Sequence, residues 1–112
     1  MVISREMEVL GMKKKKWYSY IAIFNHEDNG INISFPDLPG CLSCADMDEE
    51  AIRKAKDAMG LYMTVLEDDG GEIPKPTALK DIQLGKNDVP FLVEVFMPEV
   101  RANIKDMYIK EL

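Results

Sequence analysis

Three carboxylates, two thiols and one imidazole are the groups in this sequence whose types and spacing invite chemistry. Asp37, Asp46 and Glu50 fall near one expected strand end, and converging carboxylates can hold two divalent ions about 3.5 to 4 Å apart for phosphodiester cleavage. Asp37 lies in a turn, however, and Asp46 and Glu50 open a helix, so each already has a structural role. Cys41 and Cys44 read C-x-x-C, the spacing of a redox dithiol or of half a zinc site. Two residues three apart on an extended segment point to opposite faces, and no second C-x-x-C or histidine pair completes four ligands. Two ordinary thiols in a reducing compartment is the reading these facts favour. His26, the only histidine, sits among Asn25, Glu27, Asp28, Asn29 and Gly30, where a hairpin loop is expected, and reads as a surface group. The residues therefore ask for no catalytic group, no metal and no cofactor.

The elements that must position these groups come from one compact core, since 112 residues at 46% hydrophobic suffice for one domain and not for two. Twenty acidic against 14 basic side chains leave a net charge of −6, which repels a phosphate backbone and complements a basic protein. Direct nucleic-acid binding is therefore not expected. No apolar run reaches the roughly 20 residues of a membrane span, and the opening residues lack the apolar block of a secretory signal. The expected location is the cytoplasm.

Residues 1–16 read as a frayed arm, with Met1 or Met12 as the start and Lys13 to Lys16 as a solvated flank. Trp17 to Phe24 has aromatic and β-branched residues on both parities, as in a strand covered on both faces for part of its length. Ile31, Ile33 and Phe35 alternate with Asn32 and Ser34, which predicts a half-buried partner strand. Asn25 to Gly30 would join the two through a loop longer than the tight two-residue type. Pro36 lacks an N–H and ends the second strand at Phe35, and Pro39-Gly40 suit the centre of a type II turn. Cys41 to Ala45 follows as a short third strand.

Asp46 or Asp48 should cap the next helix, and with Asp48 as cap Met47 and Ile52 would form a hydrophobic staple. Ile52, Ala55, Met59, Tyr62, Met63 and Leu66 recur at steps of three and four, giving a core-facing stripe. Glu49 with Arg53 and Glu50 with Lys54 are expected i,i+4 pairs. Gly70-Gly71 supply the left-handed stop. Glu72 to Pro76 must run extended, residues 77 to 90 look like loop, and Phe91 to Phe96 predict a fourth strand ending at Pro98. Val100, Ile104, Met107, Tyr108 and Leu112 fit a final helix over residues 98–112 whose apolar stripe needs a partner, its own core or a second copy.

Tyr20-Ile21-Ala22, Phe35-Pro36-Asp37-Leu38-Pro39-Gly40-Cys41, Glu49-Glu50-Ala51 with Ala55, and Gly71-Glu72-Ile73-Pro74-Lys75-Pro76 occur in an order that resembles the HicB family of antitoxins. The resemblance runs from about Tyr20 to Phe96. It implies an α+β fold, a β-β-β-α-β partial RNase H-like domain over residues 17–97, with the 98–112 helix as a candidate oligomerising element. It also implies no enzymatic activity. The partner it implies is a small basic HicA-like toxin that cleaves mRNA and whose active surface is covered; homo-oligomers, dimers or tetramers, are common among such inhibitors. Similar sequences tend to place a capping Thr where Met47 stands, so Asp46 or Asp48 is expected to take over. Many members carry a C-terminal DNA-binding module, which would make the chain an autorepressor of its own operon. The sequence stops at Leu112, where such a module would begin, and the last helix balances Arg101, Lys105 and Lys110 with Glu99, Asp106 and Glu111.

Within that reading, Asp28, Asp37 and Asp46 are the candidate carboxylate contacts to the toxin, and Phe35 and Leu38 the candidate anchors. Competing structural roles exist for most of them. Asp37 suits its own Pro-flanked turn, Asp46 a helix cap, and Phe35 and Leu38 the core.

Overall fold

A computed structural model describes the backbone of residues 15–111 and the side chains of residues 15–104. The expected arm therefore lies almost wholly outside the described residues, as do the side chains of Met107, Tyr108 and Leu112. Four antiparallel strands, β1 (Trp17–Glu27), β2 (Gly30–Ser34), β3 (Leu42–Ala45) and β4 (Asp88–Phe96), form one sheet in the order β3-β2-β1-β4. Helix α1 (Asp48–Asp68) follows β3 and α2 (Met97–Glu111) follows β4 directly. This is the α+β order the sequence predicts. Among the described residues no helix is long and apolar enough to cross a membrane.

Alternation along β1 decides which face meets α1. Tyr18, Tyr20, Ala22 and Phe24 are all buried and stand opposite Val95, Val93, Phe91 and Val89 of β4. Ala51, Ala55, Met59 and Met63 of α1 are fully buried against that face, with Ile52, Tyr62 and Leu66 packed at the margins. Removing each large apolar side chain from water stabilises the fold by roughly 1.5–3 kcal/mol. On the other face Ile21 alone is buried, whereas Trp17 and Leu92 are more than half exposed.

The turn between β2 and β3 folds as its residues require. Leu38 N–H donates to Phe35 O at 3.0 Å, then Cys41 N–H donates to Leu38 O at 3.0 Å with Gly40 at φ 86°, the geometry of a type II turn. Helix α1 stops at Asp69, where Gly70 at φ 71° donates to Glu67 O and Gly71 to Leu66 O, a Schellman motif.

Several local expectations are overturned. The β1–β2 hairpin closes through only Asp28 and Asn29, because Glu27 pairs with Gly30 and His26 with Ile31 inside the ladder. Gly30 takes φ 144°, and a Cβ there would lie 2.9 Å from Ala45 O; only glycine lets β3 approach so closely. Neither Asp46 nor Asp48 caps α1. Met47 occupies the N-cap position, exposed rather than stapled to Ile52, and no side chain among the described residues caps it. The first turn relies instead on its acids facing the helix dipole, with Glu50 Oε1 reaching back to accept Asp46 N–H at 2.9 Å. Glu50 also meets Arg53 at 4.0 Å, an i,i+3 contact in place of the expected i,i+4 pairs. β3 begins at Leu42, with Cys41 buried as the last residue of the turn. β4 begins at Asp88, before Pro90, which an edge strand accommodates because one of its sides carries no ladder. Within the expected 77–90 loop, Leu79–Asp81 forms a 3-10 turn.

Candidate functional site

The expected contact residues separate into two groups. Phe35 and Leu38 are 3% and 1% exposed and belong to the core, where they hold the β2–β3 turn against the sheet. Asp37 is turned inward on the chain: its Oδ2 accepts Thr77 N–H at 2.8 Å and its Oδ1 accepts the Thr77 hydroxyl at 2.6 Å. That pair ties the extended segment after α1 to the β2–β3 turn, assisted by the Tyr20 hydroxyl donating to Pro74 O at 2.6 Å. Asp28 and Asp46, in contrast, are exposed.

Both exposed carboxylates lie at the hairpin end of the sheet. Asp28 is in the tip, and Asp46 links β3 to α1 with its Oδ1 3.9 Å from where a Cβ on Gly30 would lie. Asp48 joins them, its Oδ1 3.0 Å from His26 Nε2, with the carboxylate largely open to water and the imidazole partly so. Glu49 and Glu50 add further charge in α1's first turn. Sequence reasoning placed His26 in a loop, whereas the structure sets it in β1 beside α1's N-terminus; its 22-residue separation from Asp48 gives no local signal. Asp88 completes this end, accepting Asn25 Nδ2 at 2.7 Å and Gly85 N–H at 2.7 Å, and these bonds hold its carboxyl below the usual range.

Asp37 and Asp46 lie beyond opposite ends of β3, four residues that span roughly 13 Å. Asp37, Asp46 and Glu50 therefore do not converge as a two-ion site needs. Among the described residues no three His, Cys, Asp or Glu side chains are grouped to hold a metal ion. Cys41 is buried, and burial pushes its thiol up to about 11, while Cys44 is exposed. Both thiols are free.

At the opposite end of the sheet stands a cluster that sequence reasoning missed. Arg101 of α2 grips Glu67 of α1 with two bonds, Nε to Oε1 at 3.0 Å and a terminal nitrogen to Oε2 at 2.7 Å. The Tyr18 hydroxyl donates to the same carboxylate at 2.8 Å, and Arg101 reaches Lys15 O at 2.8 Å. Burial, then the bond to Glu67, pushes the Tyr18 phenol up to about 12. This clasp sets the direction in which α2 leaves the domain.

A family model described as the HicB-like antitoxin of bacterial toxin-antitoxin systems matches residues 19–106. Antitoxin HicB 2 of Photorhabdus laumondii is 36% identical over 58 residues, 52% of this chain and 42% of that protein. The chain thus matches less than half the length of that curated relative. Among solved structures, a chain of a toxin-antitoxin complex from Streptococcus pneumoniae superposes with TM-score 0.68 at 19% identity, covering 74% of this chain and 71% of that one. A chain of the HicA3 and HicB3 toxin-antitoxin complex superposes with TM-score 0.58 at 20% identity, covering 70% and 98%. At such identities the superpositions speak for the fold.

Proposed function

The chain belongs to the HicB-like antitoxin family of bacterial toxin-antitoxin systems, and from that premise we propose that it neutralises a small basic mRNA-cleaving toxin of the HicA type by covering the toxin's active surface. The observation that carries this reading is the family match over residues 19–106, which takes in the sheet, α1 and the beginning of α2. Inhibition of this kind needs a rigid surface of complementary charge and no catalytic group. The exposed carboxylates Asp28, Asp46 and Asp48 at the hairpin end supply that charge; they attract a cationic partner and accelerate encounter. Asp37, Phe35 and Leu38 act in this reading by shaping the domain. The complex forms in the cytoplasm, where the toxin's mRNA substrate is.

The test is co-purification of this chain with the product of the adjacent small reading frame, followed by RNA cleavage by that product with and without the chain. A stable complex that silences cleavage is the expected result. Uninhibited cleavage in a mixture of the two purified proteins overturns it.

A further inference from the structure

A groove of about 650 Å³ opens between α1, the end of β4 and α2. Its apolar lining is Trp17, Leu61, Val95, Phe96, Val100 and Ile104. Trp17 and Leu61 are 56% and 55% exposed, so this surface leaves two large side chains in water that the domain core does not use. Trp17 and Phe96 hold each other at 4.9 Å between ring centroids, and Gly60 lets α2 close on α1, since a Cβ there would meet Val100 Cγ1 at 3.2 Å. Arg101 clasped to Glu67 fixes α2 as the far wall. Leu61 also borders a second apolar hollow, of about 450 Å³, facing the β2–β3 turn, and so forms a crest between the two.

The charged rim tells which occupant fits. Among the described residues, Asp57, Glu94 and Glu99 stand around the groove against the single cation Lys56, and none of the four takes part in an ion pair. A second copy of this chain carries a net charge of −6 and would bring more negative charge to an acidic rim, whereas a cationic protein is drawn to it. We propose that this groove seats an apolar side chain carried on a cationic protein segment. Naming that segment as part of the toxin rests on the antitoxin reading. The hairpin end and the groove's acidic rim then govern approach and the groove's apolar lining governs retention, because charge mainly sets encounter rate while desolvated apolar anchors set dissociation. Leu61 on the groove lies 13 residues beyond Asp48 of the hairpin end, a rise of about 20 Å along α1.

The experiment is titration calorimetry and stopped-flow binding of the toxin to the full chain and to two variants. Leu61→Glu puts a charge on the crest and is expected to weaken binding about 30-fold or more, chiefly through faster dissociation. The double variant Glu94→Lys, Glu99→Lys is expected to slow association about tenfold at low salt, an effect lost at high ionic strength. Unchanged affinity of a folded Leu61→Glu chain overturns the groove while leaving the antitoxin reading intact. A change in the chain's own oligomeric state with toxin affinity preserved overturns it in favour of a second copy as occupant. Should Leu61→Glu unfold, the double variant decides, its side chains being exposed; unaltered association then overturns the proposal. Failure of the wild-type chain to bind the toxin overturns the antitoxin reading and the toxin as occupant together.

Discussion

The two ends of the sheet use similar charged groups in opposite ways. At the hairpin end His26 meets Asp48 through one 3.0 Å contact with the carboxylate 76% exposed. At the other end Glu67, 6% exposed, receives two bonds from Arg101 and one from Tyr18. Water screens the first pair, and such contacts contribute about 0–1 kcal/mol. The second pair is largely withdrawn from water, and losing a member leaves the other charge without its partner. Charge held by one exposed contact can be given to a partner at little expense, whereas charge bonded on several sides is committed to the fold.

The largest expected effect tests that commitment. Glu67→Ala should destabilise the domain by about 3 kcal/mol, because Arg101 and the Tyr18 hydroxyl lose their shared acceptor; a urea midpoint close to wild type would abolish the contrast between the ends. Next, Gly30→Ala probes the hairpin end through its backbone rather than its charge. The approach to Ala45 O and the φ of Gly30 should make it cost about 2 kcal/mol, and a neutral result would mean that β3 shifts freely.

Tyr18→Phe removes one bond of the clasp and should cost about 1 kcal/mol at neutral pH. The phenol ionises at 10.0 when unperturbed and at about 12 in the fold, so its contribution is complete below pH 10 and lost as pH rises from 10 to 12. Denaturation curves across that window should fall more steeply for wild type than for Tyr18→Phe; parallel curves would remove the phenol from the clasp. The smallest effect is Asp48→Asn, expected within about 0.5 kcal/mol of wild type in thermal unfolding. A loss above 1.5 kcal/mol would show that the hairpin end too is structural.

The contrast between the ends also explains what could be read in advance. Pro36, Pro39 and Gly40 act through their own φ and missing N–H, and the type II turn they imply formed as expected. Gly70 ended α1 for the same reason. The cap of α1 escaped such reading: with two aspartates available, the chain placed Met47 at the N-cap and used Asp48 against His26, a choice made only when β1 docked beside the helix. Of the five expected contacts, Asp28 and Asp46 stand exposed, while Asp37 is engaged by a threonine 40 residues away and Phe35 and Leu38 are buried.

By itself the sequence determined the alternating strands, the helix stripe of Ala55, Met59 and Met63, the turn before Cys41 and the family resemblance, because these depend on φ preferences and periodicities that act over a few residues. Tertiary structure alone decided which charges are free. Glu67 finds Arg101 at a separation of 34 residues, and Tyr18 finds Glu67 at 49, only after α1 has packed on the sheet and α2 has followed β4. A carboxylate's local sequence does not reveal whether it will be desolvated, and desolvation is what separates a structural charge from an available one.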